Sequence, residues 1–458
     1  MLVYIVPLVL VVYPLGGVFV LLMSLMTIGG GLLALVRENQ WLLVAGLMSW
    51  IAASLLFLDL VRGQRIQVGL LLAVGLLLLG LSTMSGAEIN FQGVISGNTG
   101  LLTMITSVGF LRLVAIPDER PFSDDKPSSS TKSVLPIGPN AYVQTLLGTA
   151  LFGAVINISA PMLIADRIHQ YRPLKRFTSQ SITRVFSGAA SWSPFFAGTA
   201  VVLTVVPEAQ LSLLMMAGFP FAVIGILIVY AEARWRYSEQ MDDFVGYPLR
   251  LNSLLIPGML AVLVLLSNWL LPNLSILIAI ALSALLITTM MLIYRLGMKG
   301  GWRQLVKHVS HGLPRVVNEL TLFLSAGVLA TGISSMIQVG FITIPLADFD
   351  SVTAVVIVGA MVIAGAMGIH PVILISALTP LLLTLNPNPN LLALSYLFAW
   401  SMGTSASPLS GTHLVFQSRY GIPGWKGAVW NWPYVAVMLT FAAVWLLLMG
   451  SFFFDRSY

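Results

Sequence analysis

Apolar residues run along the chain in blocks of about twenty, parted by short polar turns, with no apolar/polar alternation inside the blocks. A block of that length suits an α-helix crossing about 30 Å of hydrocarbon, and the missing alternation argues against lipid-facing strands. The blocks predict crossings at 2–26, 41–61, 66–86, 89–115, 180–206, 211–231, 254–271, 274–294, 319–338, 391–417 and 433–454. Two further apolar stretches, 141–168 and 351–385, carry breakers at their centres: NISAP (Asn157 to Pro161) and GIHP (Gly368 to Pro371). Cut there, each falls into halves of about 12 to 16 residues, too short to span. Each is therefore expected to enter and leave on one side as a re-entrant hairpin, its non-helical backbone buried in protein or lining a cavity. The predicted fold class is an all-α polytopic membrane protein of about 11 transmembrane helices plus two re-entrant hairpins.

Composition sharpens this picture. The 458 residues are 57% apolar and 9% charged, and the mean hydropathy of +0.93 excludes an ordinary soluble globule. The first apolar run has no basic n-region and no A-x-A site, so it reads as a retained helix. The absence of cysteine excludes disulfides and thiolate-ligated metals or clusters. No nucleic-acid partner is expected from the formal charge of +6, because the positions of the cations matter more than their sum.

Those positions test the hairpins. If both are re-entrant, the loops 62–65, 112–140, 167–184, 232–250, 295–318 and 418–426 share one face, and they hold all but two of the 23 basic residues. Only Arg37 and Arg456 fall opposite, and PEAQ, PN, IPLADFD and NPNPN on that face have none. The expectation is an inner (plasma) membrane protein with a cytoplasmic N-terminus and an external C-terminus. The polar loop 116–140 is expected to be disordered, and 298–318, with Trp302, Leu305, Val306, Val309 and Leu313, to form an amphipathic interfacial helix. Trp425, Trp430 and Trp432 read as interfacial anchors.

SWSPFFAGT (191–199) and SASPLSGT (405–412) place Ser-Pro and Gly-Thr inside two of the apolar blocks. NISAP precedes the first by about 34 residues and GIHP the second by about 36, with an odd number of crossings between the hairpins, the pattern of an inverted-topology repeat. The division is 1–86 as N-terminal scaffold helices, 87–235 as one repeat (hairpin 141–168, unwound helix 180–206), 236–299 as linking helices, and 300–454 as the other (hairpin 351–385, unwound helix 391–417). Pro194 and Pro408 each delete a helix hydrogen bond, while half-helix N-termini attract anions and freed carbonyls coordinate cations.

On these motifs the chain resembles the ion transporter superfamily, which includes divalent anion/Na+ symporters, arsenite and NhaD-type carriers and the large subunits of tripartite periplasmic transporters. NISAP and GIHP match the hairpin tips, SWSPFFAGT and SASPLSGT the unwound segments, and NELTLFLSAGVLATGI (318–333) the helix before the second hairpin. The Ser-Asn-Thr tip of the dicarboxylate symporters is replaced by NIS and GIH. The resemblance implies a homodimer in the lipid bilayer, a small anionic solute as partner, and Na+ or H+ as coupling ion with no other cofactor.

The candidate substrate contacts are Asn157, Ser159, His370, Ser193, Ser407, Thr412 and His413, and the candidate cation ligands are Ser191, Thr199, Ser405 and Gly368. For each, local capping or hydroxyl bonding to the helix's own backbone is the competing reading. Arg184 reads as a snorkelling cation at a helix start, with substrate binding as the competing role, SGNTG (96–100) as a gate or a packing break, and Glu88, Asp59, Glu319 and Asp166 as helix-end carboxylates. No HExxH, GxSxG or phosphate-cradling glycine loop is present, so no catalytic residues are expected. The leading expectation is a secondary active transporter of a small anion, a carboxylate first among them, working by alternating access. The alternatives are a cation/proton antiporter of the same fold and a lipid or polyprenyl-phosphate translocase.

Overall fold

The computed structural model describes residues 2–33, 41–60, 62–114, 135–249, 255–271 and 273–450. Among them the regular structure is helical. The helices α1 (Leu2–Leu33), α2 (Trp41–Leu56) and α3 (Arg62–Met84) form the first three expected crossings. The fourth is made of α4 (Phe91–Ser96) and α5 (Thr99–Phe110), broken at SGNTG, where Asn98 Nδ2 donates to the Phe323 carbonyl at 2.7 Å. Next come the hairpin legs α6 (Pro139–Ile156) and α7 (Ser159–His169), then the two halves of an interrupted helix, α8 (Arg176–Gly188) and α9 (Ala197–Val205). α10 (Leu211–Arg236), the short α11 (Ser238–Asp242), α12 (Leu255–Leu270), α13 (Ile276–His311) and α14 (Val317–Gln338) follow. The second hairpin is α15 (Ser351–Ala366) and α16 (Pro371–Leu382), the second interrupted helix α17 (Pro389–Ala406) and α18 (Gly411–Tyr420), and the last helix α19 (Gly424–Met449).

Eight helical stretches among the described residues are long and apolar enough to cross a membrane. The other expected crossings correspond to α12 and to the interrupted helices α8–α9 and α17–α18. Residues 115–134 of the polar loop, Arg37, Arg250 and Arg456, and the outermost residues of four expected crossings lie outside the described residues. The expected interfacial segment begins a helix of its own: at Gly297, whose backbone is non-helical with a positive φ of 69°, the chain kinks, and a second helical stretch runs on to His311, so that α13 is two helices joined across a bend. Beyond that turn Trp302 and Val306 are exposed and Leu313 is buried, the two-faced character that the sequence predicts.

The first hairpin returns to its starting point. Before α6, the Gly138 amide donates to Phe244 and the Pro136 carbonyl accepts from Gly246, both at 2.9 Å. After α7, Arg172 Nη1 donates to the Asp243 carbonyl at 2.9 Å, so both ends of the hairpin rest on 243–246. At the second hairpin, a Cβ on Gly365 would lie 3.4 Å from Gly403 Cα, and one on Gly403 would lie 3.7 Å from Pro371, which sets the tip beside Gly403. The second leg then runs back along α17, with Thr379 Oγ1 3.1 Å from the Tyr396 hydroxyl. Asn390, at the start of α17, accepts from the Gln210 amide at 2.7 Å at the start of α10, whereas 243–246 lies beyond the end of α10. The two hairpins thus open toward opposite ends of α10, whose 26 residues span about 39 Å.

Contacts between connecting segments join stretches that the charge count groups together: Arg295 with the Val114 carbonyl, Arg172 with Asp243, Arg419 with Asp166. In packing, α1, α2, α3, α5, α13 and α14 form one group, and α6 to α10 with α15 to α19 a second. Contacts of α14 with α16 and of α5 with α9 join them.

Candidate functional site at the convergence of four helix breaks

Each break has a local cause. Pro194 and Pro408 cannot donate to the carbonyls of Ala190 and Thr404, so the helices open there. The two openings then fold alike. Ser193 and Ser407 donate their amides to Ala189 and Gly403 at 3.0 and 2.9 Å. Their hydroxyls accept from the amides of Phe195 and Leu409 at 3.2 and 3.3 Å, and their carbonyls accept from Phe196 and Ser410 at 3.4 and 3.3 Å. The same carbonyls accept a side-chain bond each, from Thr199 Oγ1 at 2.6 Å and from His413 Nδ1 at 2.7 Å. All four pairs stand at one constant sequence offset. The hairpin tips turn at Asn157 (φ 49°) and Gly368 (φ 96°), both in left-handed backbone.

The four breaks meet. Asn157 Nδ2 donates to the Phe195 carbonyl at 3.1 Å and its Oδ1 accepts from Ala197 at 3.3 Å, clamping the first tip to the first opening, and Ser193 Oγ donates to the Ala154 carbonyl. A Cβ on Gly368 would lie 3.0 Å from Leu409 Cδ1, setting the second tip against the second opening. Across the two sets, a Cβ on Gly411 would fall 2.7 Å from Ile158, and the hydroxyls of Ser187 and Ser405 are 2.6 Å apart. Trp400 fills the space between the sets. The His370 ring meets its face edge-on at 5.6 Å, and Gly198 approaches it so closely that a Cβ would lie 3.0 Å away.

The expected residues divide by their contacts. His370 caps α16, its Nδ1 accepting from Val372 at 3.2 Å. Ser191 faces away from the openings, donating to Gly188 and Gly218 at 2.8 and 3.1 Å. Ser159 is half-buried at the head of α7, next to Ile158. Thr412, in the first turn of α18, is 1% exposed and its hydroxyl has no partner among the described residues. A buried hydroxyl left unpaired costs about 1–3 kcal/mol, which a bound group or water at that helix N-terminus would recover. His413 is buried with both ring nitrogens engaged: Nδ1 with the Ser407 carbonyl and with Ser410 Oγ at 3.1 Å, Nε2 with Asn431 Nδ2 at 3.4 Å.

Arg184 corrects the snorkelling expectation. Only 3% exposed, it forms an ion pair with Glu232 of α10, donates Nε to Asn431 Oδ1 and Nη2 to the Trp430 carbonyl, both at 2.9 Å, and lies over the Tyr434 ring at 5.1 Å. Gln180 donates to the same Trp430 carbonyl at 2.6 Å. A guanidinium with five donors is better served by this set than by a reach to the interface. A cavity of about 10 Å³, near the room one water needs, lies among Tyr142, Gln180, Ser181, Arg184, Glu232 and Tyr237. Asn431 Nδ2 also donates to the Ser405 carbonyl at 3.2 Å, so one amide joins Arg184 to the second opening. A sequence signal for this cluster exists: Gln180, Arg184, Ser187 and Ser191 recur at helical spacing, a polar stripe that is buried along α8 and the turn after it.

No protein-family model matches the chain, and no curated protein matches it. Among solved structures it is similar to the crystal structure of the YdaH transporter of Alcanivorax borkumensis, described as having an unusual topology. The similarity has a TM-score of 0.56 at 14% sequence identity and covers 84% of this chain and 98% of that one. The likeness is one of fold.

Proposed function

We propose that the protein is a secondary active transporter of a small anion, a carboxylate first among them, coupled to Na+ or H+ by alternating access. The observation that carries this reading is the pair of Ser-Pro openings, folded alike bond for bond and brought together between hairpins that open toward opposite ends of α10. Two such half-sites give a solute one set of helix ends from each direction, the arrangement that inverted repeats use to expose one site alternately to two faces. The unpartnered Thr412 hydroxyl at the N-terminus of α18 favours an anion there. The similarity in fold to the YdaH transporter supports a transport function, and the ion transporter superfamily remains the family this reading points to. Thr199, Ser405 and the Gly368 backbone are the proposed cation ligands through their free lone pairs, whereas Ser191, turned toward Gly188 and Gly218, is left out of the set.

A cation/proton antiporter is the second reading, and the Arg184–Glu232 pair favours it, since it sets a partly exposed carboxylate against a buried polar cluster. Purified protein in liposomes, offered carboxylates and oxyanions under imposed Na+ or proton gradients, separates the two. Anion uptake driven by either gradient supports the first reading, and uptake indifferent to both sinks it. Cation movement against a proton gradient with no anion uptake selects the second. Ser407→Ala and His370→Ala are each expected to lower uptake without loss of folded protein; normal uptake in both would leave the breaks as structural features only.

A further inference from the structure

His413 sits where a single added proton has only one place to go. Its Nδ1 faces the Ser407 carbonyl at 2.7 Å, and a carbonyl only accepts, so Nδ1 carries the ring's hydrogen. Nε2 is then a lone pair, and it accepts from Asn431 Nδ2 at 3.4 Å. The orientation of that amide is fixed from its other end, because Oδ1 accepts from Arg184 Nε at 2.9 Å while Nδ2 also serves the Ser405 carbonyl at 3.2 Å. Gly427 lies against the His413 ring, where a Cβ would fall 2.6 Å from Cδ2, so the ring cannot swing toward α19.

A proton taken from water onto Nε2 would point at an amide NH2 group. Two donors cannot face each other, so the amide must turn over and present Oδ1 to the imidazolium. Its NH2 group then faces the Arg184 Nε–H, and the bond to the Ser405 carbonyl is lost. Arg184 keeps Glu232 and the Trp430 carbonyl, so it has a place to stay. The charged groups facing His413 are Arg184 from α8 and, behind it, Glu232 from α10. From α19 come Asn431 and Gly427, and from its own turn Ser407 and Ser410.

We infer that His413 is a proton-binding site and Asn431 the positioning residue that converts its protonation into release of the 405–410 opening from α8 and α19. This rests on the transporter reading, in which it makes H+ a coupling ion, and it deepens that reading by naming the element that the proton moves. The ion pair itself stays closed, so the device unlatches one helix break and leaves the bundle standing.

Hydrogen exchange on the whole protein in detergent tests this without any solute. After correction for intrinsic rates, protection of the 405–410 amides is expected to fall about tenfold or more as pH is lowered from about 8 to about 4, while α10 amides hold. In Asn431→Asp, whose carboxylate accepts from both neighbours, the midpoint is expected to move up by about one pH unit or more. In His413→Gln the step is expected to vanish. A tautomer assignment by nitrogen NMR of wild type at pH 8 should find Nδ1 protonated, and this needs no variant. Finding Nε2 protonated instead, or an equal step in wild type and His413→Gln, overturns the inference. Liposome uptake is read separately: a pH step without solute transport leaves the latch standing and removes the transporter reading, whereas transport without the step does the reverse.

Discussion

The hydroxyls of Ser187 and Ser405 meet at 2.6 Å, the one on α8 and the other one turn before the second opening. Ser187 also donates to its own Arg184 carbonyl at 2.8 Å, so its oxygen accepts from Ser405 Oγ and the pair has a fixed direction. Replacing either serine by alanine is expected to cost about 1 kcal/mol of unfolding free energy, and the double variant clearly less than the sum. Unfolding of the four proteins in one detergent measures the coupling; strict additivity would mean that the contact contributes nothing.

Arg184→Ala leaves Glu232 beside a buried cavity with the half-exposed Arg236 as its remaining ion partner at 3.4 Å. The expected loss is about 3 kcal/mol, at the low end for a broken interior pair because Glu232 keeps some exposure. Arg184→Met combined with Glu232→Gln should recover much of it, since no buried charge is left unpaired and Arg236 is half-exposed to solvent. A double variant no more stable than Arg184→Ala would show that the other bonds of Arg184, to Asn431 and Trp430, dominate.

Gly368 and Gly359 belong to the same hairpin and should respond in opposite ways. Alanine at Gly368 is strained at φ 96° and presses on Leu409, a cost of about 1–2 kcal/mol. Alanine at Gly359, inside α15 with open space around it, should stabilise by up to about 1 kcal/mol. Thermal unfolding of the two single variants side by side is sufficient; equal shifts would refute the assigned turn.

Asp350 caps α15, accepting from the Thr353 amide at 2.7 Å, and that bond holds its carboxyl below the usual carboxylate range. A depressed folded value means that the cap's contribution is present above the unfolded pKa and is lost as pH falls through the folded one. Asp350→Ala should fray the first turn, costing about 1 kcal/mol at neutral pH and nothing in strong acid. Exchange of the first-turn amides of α15 in both proteins reads this out, and a difference that persists in acid would count against the charge as its source.

The breaks were legible in the sequence because each is written locally. Proline removes a donor wherever it stands, and the Ser-Pro openings follow from the next few residues alone. The partners of Arg184 are not local. Glu232 lies 48 positions away at the end of an apolar helix and Asn431 lies 247 away, so nothing near Arg184 distinguishes a buried guanidinium from one reaching for water. The bend in α13, by contrast, is written locally: Lys299 and Arg303 signal an exit from hydrocarbon, and Gly297 supplies the positive φ at which one helix ends and the next begins.

At Gly218 of α10 a Cβ would fall 1.7 Å from the Ser191 carbonyl, and at Gly225 it would fall 2.6 Å from the Tyr434 hydroxyl. At Gly218 backbone lies on backbone, with no side chain to change rotamer and absorb a displacement. A sliding step between α10 and the end of α8 would therefore have to part the two chains outright, whereas residues such as Leu409 and Ile158 can repack in place. Any motion through which this molecule works is thereby channelled: the turn at Ser191 and α10 travel together as one solid piece, and the slack belongs to side-chain contacts such as those of Leu409 and Ile158.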